Sequence, residues 1–220
     1  MYAFMSAFDV PLRVVNRAIR SVEALNFDRF LVANYTSHQL LVATAEVVFC
    51  RTDYGPGSKL LCPLKYMTVK EKASSYVTLV DADVVYLPYV RVAVESHVSF
   101  STAVSFWGYQ VGPYQMLQGA DAFTMHLSHL GRVYHWYSFV VTKFPFLKWH
   151  DDVWISFYLD TQNVTRNVIP RLGSWKRGAY AELCTPPLCN GLYYRRGETS
   201  RLAINRAVQD HFLPFYAQLT

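Results

Sequence analysis

Four short apolar runs in the first half of the chain predict β-strands. They are separated by segments long enough for crossover connections, and they lie at residues 2–8, 30–34, 46–50 and 76–80. After the first run, Asp9 and Pro11 open a segment with apolar residues three and four positions apart, which predicts a helix through Leu25. Strands that alternate with helices favour a mostly parallel sheet with helices on both faces. We therefore predict a Rossmann-like α/β domain.

The second half of the chain has a looser pattern. Its predicted elements are a strand-like segment at 100–109, a turn at 119–123, a short helix at 124–130, turns at 171–178 and 185–192, and a final helix at about 200–211. No internal repeat or flexible linker is apparent. We predict a single domain over residues 1–220, with halves at 1–95 and 96–220.

The fourth predicted strand ends in two acids that are one residue apart, Asp81 and Asp83. Because residues i and i+2 of an extended segment point the same way, both carboxylates are expected to face one point beyond the strand end. Like-charge repulsion makes this arrangement costly unless a cation is bound. Mg²⁺ and Mn²⁺ take oxygen ligands, and their usual partner is a phosphate-bearing substrate. The pair therefore predicts a metal-diphosphate site.

Other candidate ligand contacts lie near the same predicted edge of the sheet. Ligands of such sheets bind beyond the carboxyl ends of the strands, where residues 6–9 and Asn34 fall. Residues 54–59 predict a Gly-rich turn that leads into a helix at about 60–67. Lys59, at the start of that helix, contacts phosphate oxygens in one interpretation and has no ligand contact in the other. The turn does not match the Walker pattern.

A second acidic pair, Asp151 and Asp152, opens an apolar segment that predicts a buried helix. In the structural interpretation, the two carboxylates cap the helix and complement its dipole. In the functional interpretation, one is a general base that faces the cleft, and the other orients it or the incoming substrate. The acidic pair at residues 81 and 83 favours the functional interpretation.

The composition fits an enzyme-sized globular domain with an anionic ligand. Of 220 residues, 52% are apolar, 16% are aromatic and 17% are charged, which excludes a disordered chain. The net charge is +5, but no block of five or more Lys and Arg appears, so a nucleotide diphosphate is as good a partner as nucleic acid. The 16 tyrosines suit binding of sugars or nucleobases, although packing at the core edge accounts for most of them.

The chain carries no recognisable targeting or membrane signal. No apolar run approaches the roughly 18 to 20 residues needed to cross a bilayer, and residues 1–9 lack the basic and long apolar regions of a signal peptide. The four cysteines have no metal-type spacing and are too few for a disulfide scaffold: Cys50, Cys62, Cys184 and Cys189. A disulfide between the last two would close a small loop. We expect a cytoplasmic protein.

These segments together resemble the metal-dependent nucleotide-sugar glycosyltransferases of the GT-A fold. The resemblance covers residues 1 to about 160 in motif order, beginning with the strand and helix of residues 2–25. Residues 79–84, Leu-Val-Asp-Ala-Asp-Val, are similar to the DxD motif of that group. Residues 151–153 resemble the Glu/Asp-Asp-Val that carries the catalytic base in inverting members. The implied fold is the GT-A type of the α/β architecture.

Two positions depart from the pattern of that group. His150 stands where an acid or Gly is common, and Ser156 stands where a Gly often follows, so the resemblance leaves the inverting assignment open. The domain size and the lack of a membrane anchor also resemble the small capsid-glycan transferases of large algal viruses. That narrower resemblance would place the protein in the cytoplasm of a host cell.

The resemblance implies a role for each half of the chain. Residues 1–95 would bind the nucleotide sugar, with a UDP-sugar favoured, and residues 96–220 would bind a glycan or glycoprotein acceptor. The implied site residues are Ser6, Ala7, Phe8, Asn34 and Lys59 for the nucleotide; Asp81, Ala82 and Asp83 for the diphosphate and Mn²⁺ or Mg²⁺, with His211 as a further metal ligand; Asp152 as base with Asp151 as the alternate; and Gly119, Asp121 and Trp154 for the acceptor.

The leading hypothesis is transfer of a sugar from a nucleoside diphosphate sugar to a hydroxyl of a glycan, with inversion. The cation would neutralise the charge on the leaving diphosphate while Asp152 takes the acceptor proton. A nucleotidyltransferase is the alternative among enzymes, although residues 6–9 are not a basic, Gly-rich phosphate loop. The alternative that is not an enzyme is a carbohydrate-binding module, which would bind glycan without a cation.

Overall fold

The computed structural model describes residues 1–7, 10–34, 40–170, 180–182 and 201–219. In this part of the chain the strands are β1 (Tyr2–Ala7), β2 (Arg29–Asn34), β3 (Glu46–Phe49), β4 (Tyr76–Asp81), β5 (Val84–Tyr86), β6 (Thr102–Ser105), β7 (Gly108–Val111), β8 (Tyr114–Leu117), β9 (Phe123–His126), β10 (Thr165–Val168) and β11 (Tyr180–Glu182). The α-helices are α1 (Leu12–Glu23), α2 (Ser58–Leu64), α3 (Val69–Ser74), α4 (Val90–His97), α5 (Val133–Lys143), α6 (Asp151–Thr161), α7 (Arg201–Ala207) and α8 (Leu213–Tyr216). Short 3-10 helices lie at Gly55–Gly57, Gly119–Asp121, Leu127–Arg132 and Pro145–Trp149, and a π-helical turn lies at Val208–Phe212.

Seven of these strands form one central sheet, in the spatial order β10-β6-β9-β4-β1-β2-β3. Strand β1 pairs in parallel with β2 and β4, and β2 pairs in parallel with β3. Strand β9 runs antiparallel to both of its neighbours, β4 and β6, while β10 is parallel to β6. The predicted Rossmann-like, mostly parallel α/β architecture is confirmed.

The central strands are buried on both faces, which explains their nearly continuous apolar sequences. In β1, Phe4 packs into the core on the side of α2, α5 and α6, whereas Ala3 and Met5 pack into a second core on the side of α1 and α4. All three are fully buried. Because side chains alternate along a strand, each short run contributes to both cores. The sheet is therefore covered by helices on both sides, as the sequence predicts.

The predicted strands of the first half and the helix after β1 are confirmed, and the predictions for the second half need two corrections. Residues 100–109 contain β6 and the start of β7 rather than one strand. Residues 124–130, predicted as a helix, begin in β9 and continue in a 3-10 helix. Thr124 lies in β9 with its hydroxyl 2.9 Å from that of Thr78 on β4, while Phe123 and Met125 pack on the opposite side. This two-residue alternation belongs to a strand, and it is too short to be distinctive in the sequence.

The structure also pairs two cysteines that the sequence does not pair. A disulfide joins Cys50, directly after β3, to Cys62 in α2, and their Cα atoms are 5.6 Å apart. It ties α2 to the edge of the sheet. Cys184 and Cys189 lie outside the described residues. Among the described helices, none combines the length and apolar character needed to span a membrane.

Glu23, the last residue of α1, organises the segment that leads into β3. Its Oε1 accepts hydrogen bonds from the backbone N–H groups of Ala43 at 2.7 Å, Thr44 at 2.7 Å and Ala45 at 3.0 Å. Partial burial acts to raise the pKa of Glu23, but these backbone bonds outweigh it and hold the pKa below the ordinary value. The charged carboxylate therefore stabilises the folded state.

We expect Glu23→Gln to lower the free energy of unfolding by about 1 kcal/mol near neutral pH, since a charge-assisted acceptor becomes a neutral one. A depressed folded pKa gives stability that is present above the unfolded pKa, about 4.3, and is lost as pH falls through the folded value. The difference in the free energy of unfolding between wild type and variant should therefore become smaller as the pH falls. Urea unfolding of both proteins across this pH range measures it. Glu95→Gln, which removes an exposed helix pair with Arg91, is the control and should cost less than about 0.5 kcal/mol. A difference that is independent of pH would contradict this account of Glu23.

Candidate functional site

The predicted acidic pair lies at the carboxyl edge of the central sheet. Asp81 is the last residue of β4, in register with Ser6 of β1, and Asp83 lies in the turn before β5. The Asp81 side chain is 30% exposed, so a ligand at the edge can reach it. Tyr86 secures the turn: its hydroxyl accepts the N–H of Asp81 at 2.7 Å and donates to the carbonyl of Ala120 at 2.9 Å. The acids thus stand on a fixed turn.

Lys59 brings the first acidic pair together with the second. It lies in the first turn of α2, and its ammonium forms a close ion pair with Oδ1 of Asp81. The same ammonium is 3.0 Å from Oδ2 of Asp151 at the start of α6, an ion pair without hydrogen-bond alignment. Desolvation acts to lower the pKa of Lys59, whose side chain is only 6% exposed, but Asp151, Asp81 and Asp152 outweigh it and raise the pKa. Lys59 is therefore charged at any physiological pH.

Asp152 is held by a different contact. Its Oδ1 accepts a hydrogen bond from the backbone N–H of Gly119 at 2.7 Å, and only 8% of the residue is exposed. Two residues before Gly119, the N–H of Leu117 donates to Oγ of Ser156 at 3.1 Å. Ser156 lies one turn after Asp152 along α6. The segment after β8 is therefore docked along the first turns of α6. The contacts of Asp151 with Lys59 and of Asp152 with Gly119 show that both acids join α6 to other elements.

Three glycines make these close approaches possible. A Cβ on Gly119 would lie 2.8 Å from Nζ of Lys59 and 3.1 Å from Oδ1 of Asp152. A Cβ on Gly57 would lie 2.5 Å from the Trp154 ring, and one on Gly55 would lie 2.5 Å from the Lys148 carbonyl oxygen. Side chains at the last two positions would push α2 away from α6. The Gly-rich turn predicted before Lys59 thus serves to seat α2 against α6.

The predicted nucleotide contacts are placed at the same edge. Ser6 and Ala7 end β1, and Asn34 ends β2 in register with Ala7. Ala82 is buried between the two acids of the turn. Phe8 lies outside the described residues.

Two of the predicted acceptor contacts are inside the protein, which corrects their predicted role. Trp154 is fully buried, with its ring 5.2 Å from that of Tyr137 and against Gly57, so it supports α2 instead of facing a ligand. Asp121 is 1% exposed, and its carbonyl accepts the N–H of Phe106 at 2.9 Å. Gly119, the third, lies in the acidic cluster itself. An aromatic residue on the buried side of a helix cannot be distinguished from an exposed one by the sequence alone.

The acids at the sheet edge have the donor chemistry of a hard divalent cation. Such a cation is often held by one or two carboxylates, with phosphate oxygens and water in its remaining positions, and Asp81 and Asp83 match that requirement. His211 is on the exposed side of the π-helical turn. Across the described residues, no three His, Cys, Asp or Glu side chains are grouped to hold a metal ion. The pair therefore fits a cation that arrives with a diphosphate, and does not form a complete protein site for one.

Two further contacts at the site are not predicted from the sequence. Tyr86 follows Asp81 by five residues, and its position in a short strand after the acidic turn was the available signal. His150 joins three elements: its Nε2 is 3.0 Å from Oδ1 of Asn205 in α7 and 3.4 Å from the hydroxyl of Tyr109 in β7. No local pattern indicates that pairing. Helix α7 is thereby attached to the residue that precedes Asp151.

Solved structures with this fold include transferases of two kinds. No family model and no curated sequence matches the chain. A 2-C-methyl-D-erythritol 4-phosphate cytidylyltransferase from Francisella tularensis aligns with a TM-score of 0.54 and 14% identity, over 84% of this chain and 94% of its own. A nucleotidyl transferase from Methanothermobacter aligns with a TM-score of 0.52 and 11% identity, over 97% of this chain and 98% of its own. The galactosyltransferase LgtC, solved with donor and acceptor sugar analogues, aligns with a TM-score of 0.51 and 13% identity, over 100% of this chain and 96% of its own. At these identities the likeness establishes the fold alone.

We expect Gly119→Ala to destabilise the protein by about 1 to 3 kcal/mol, because the added methyl group displaces Lys59 or Asp152 in a packed cluster. Thermal or urea unfolding measures this loss. Gly131→Ala is the matched control, since a Cβ there meets no atom within 4 Å, and it should change stability by less than about 0.5 kcal/mol. Equal effects of the two substitutions would show that the close approach at Gly119 is not a constraint.

Proposed function

We propose that this protein is a metal-dependent glycosyltransferase that moves a sugar from a nucleoside diphosphate sugar, with a UDP-sugar favoured, to a hydroxyl of a glycan or glycoprotein. The observation that carries the proposal is the pairing of two acidic sites through Lys59. Asp81 stands at the edge where ligands of such sheets bind, and Asp152 stands nearby on α6. One site suits a leaving diphosphate and the other suits an incoming nucleophile.

In this mechanism Asp152 is the general base. The N–H of Gly119 fixes one of its oxygens, so the carboxylate is held in place before the acceptor binds. The acceptor hydroxyl gives its proton to Asp152 while its oxygen forms a bond to the anomeric carbon. The bond from that carbon to the diphosphate oxygen breaks, and the nucleoside diphosphate leaves. Attack from the side opposite the leaving group inverts the anomeric centre.

The donor side relies on Asp81 and Asp83, which would hold the cation together with the diphosphate. A bound divalent cation supplies neutralisation of the charge that develops on the leaving group. Ser6, Ala7 and Asn34 line the neighbouring strand ends, which suits them to contacts with the nucleoside. Asp151 remains paired with Lys59, so Asp152 is the better candidate for the base.

Nucleotidyl transfer is the second candidate function, because two of the similar structures are nucleotidyltransferases. The two reactions differ in substrate and product. A glycosyltransferase consumes a nucleoside diphosphate sugar and releases a nucleoside diphosphate, whereas a nucleotidyltransferase consumes a nucleoside triphosphate and releases pyrophosphate. Incubation with panels of both donor classes, glycoside acceptors, sugar phosphates and Mn²⁺, followed by analysis of the released phosphates, separates them. Pyrophosphate as the product would overturn the proposed function.

We expect Asp152→Asn to reduce transfer by about 100-fold or more, because the amide cannot accept the acceptor proton. Binding of the nucleoside diphosphate should be retained, since Asp152 lies on the acceptor side. Release of nucleoside diphosphate measures the first effect, and calorimetry measures the second. Asp28→Asn, which changes an exposed acid directly before β2, is the control and should retain activity. A fully active Asp152→Asn enzyme would exclude Asp152 as the base.

We expect Asp83→Ala to abolish metal-dependent binding of the donor diphosphate and to abolish transfer. Chelation by EDTA should have the same effect on the wild-type protein, because the cation links the acids to phosphate oxygens. Calorimetric titration with UDP and other nucleoside diphosphates, with Mn²⁺ and then with EDTA, measures both. Asp28→Ala serves as the control. Transfer that survives both the substitution and the chelator would remove the cation from the proposed function.

A further inference from the structure

Lys59 already occupies one side of the predicted cation site. Its ammonium is paired with Oδ1 of Asp81, one of the two carboxylates proposed to hold the cation. The side chain is only 6% exposed, so water screens this charge weakly. A divalent cation that approaches Asp81 alone therefore meets a fixed positive charge on the same carboxylate. The two cations repel each other across it.

The ammonium is not free to move away at low cost. The turn before α2 is seated on Lys148 and Trp154 through Gly55 and Gly57, and the disulfide from Cys50 to Cys62 holds α2 from its other end. If Lys59 left the cluster, Asp151 would lose its ion pair at a site where only 8% of its side chain is exposed. An unpaired buried carboxylate is strongly unfavourable. Lys59 therefore stays close to Asp81 and Asp151 while the site has no ligand.

A diphosphate changes this balance. It brings negative charge and oxygen ligands to the cation, and its phosphate oxygens are also acceptors for a lysine ammonium. The combined ligand can satisfy Asp81 and Lys59 together, whereas the cation alone can satisfy only Asp81. Cation binding and diphosphate binding should then strengthen each other, and the coupling must be reciprocal.

We propose that Lys59 is the internal counter-ion of this cluster and makes cation binding at Asp81 conditional on a nucleoside diphosphate. This inference rests on the proposed function for the identity of the diphosphate. The exclusion of a lone cation depends only on the contacts of Lys59. Lys59 is thus a positioning residue that acts through Asp81 and Asp151.

The test is titration of the intact protein with MnCl₂ alone, followed by paramagnetic resonance or calorimetry, and then titration in the presence of UDP. Lys59→Met keeps most of the side-chain length and removes the charge, so it should bind Mn²⁺ alone about 10-fold more tightly than wild type. Lys59→Arg retains the charge and should resemble wild type. The enhancement of Mn²⁺ binding by UDP should be smaller in Lys59→Met than in wild type.

A second variant covers the case in which Lys59→Met does not fold with its acids unpaired. Lys59→Met combined with Asp151→Asn removes one positive and one negative charge, so the net charge of the cluster is the same as in wild type. This double variant should still bind Mn²⁺ alone more tightly than wild type, because Asp81 has lost its internal counter-ion. If Mn²⁺ affinity depended only on the net charge of the cluster, the double variant would bind Mn²⁺ as wild type does.

The outcomes separate this inference from the proposed function. Equal affinity for Mn²⁺ alone in wild type and in the folded Lys59 variants would overturn the role of Lys59, even if Mn²⁺ and UDP bind together. If no protein binds UDP but the lysine variants gain affinity for Mn²⁺, the proposed function fails and Lys59 stands as the residue that keeps a lone cation from Asp81.

Discussion

The structure depends on one buried charge interaction, the pairing of Lys59 with acids from two other elements. A buried ammonium without partners is strongly unfavourable, and so are buried carboxylates without a cation. Lys59 on α2, Asp81 on β4 and Asp151 on α6 therefore stabilise one another only while all three elements keep their relative positions. The cluster is a constraint on geometry more than a source of stability, because the desolvation of each charge offsets much of the attraction.

The glycines around the cluster provide the space that this charge interaction needs. Charges attract effectively at short distances, and a lysine from one helix reaches an acid on another only if the backbones approach closely. Gly55 and Gly57 let α2 lie against residues that precede and follow the start of α6, and Gly119 leaves room for the ammonium beside Asp152. Cys62, further along α2, ties the same helix to the end of β3. Packing and electrostatics thus fix the same helix.

The parts of this arrangement that could be predicted from the sequence are those that local patterns determine. Strands buried on both faces leave continuous apolar runs, and the i, i+2 spacing of Asp81 and Asp83 places both at one strand end. The contact of Lys59 with Asp81 and Asp151 joins distant segments, so no spacing rule reveals it. Trp154 fails as a predicted ligand contact for a related reason: it is buried against Gly57 and Tyr137, which belong to other elements. The four residues of β9 are too few to show a clear two-residue period, so the sequence predicts a helix there instead.

The fold alone does not choose between glycosyl and nucleotidyl transfer, since one architecture supports both and function depends on the site. In either reaction the nucleotide and its phosphates would lie at the carboxyl edge of the sheet, where ligands of such sheets bind. They differ in what must stand opposite the leaving group: attack on an anomeric carbon by a neutral hydroxyl needs a proton acceptor, whereas the phosphate of a sugar phosphate is already a nucleophilic anion. In the proposed mechanism Asp152 would be that acceptor: the N–H of Gly119 holds one of its oxygens, and Asp152 lies on α6, a different element from the turn that carries Asp83. A base in this position has a use in glycosyl transfer that nucleotidyl transfer does not require.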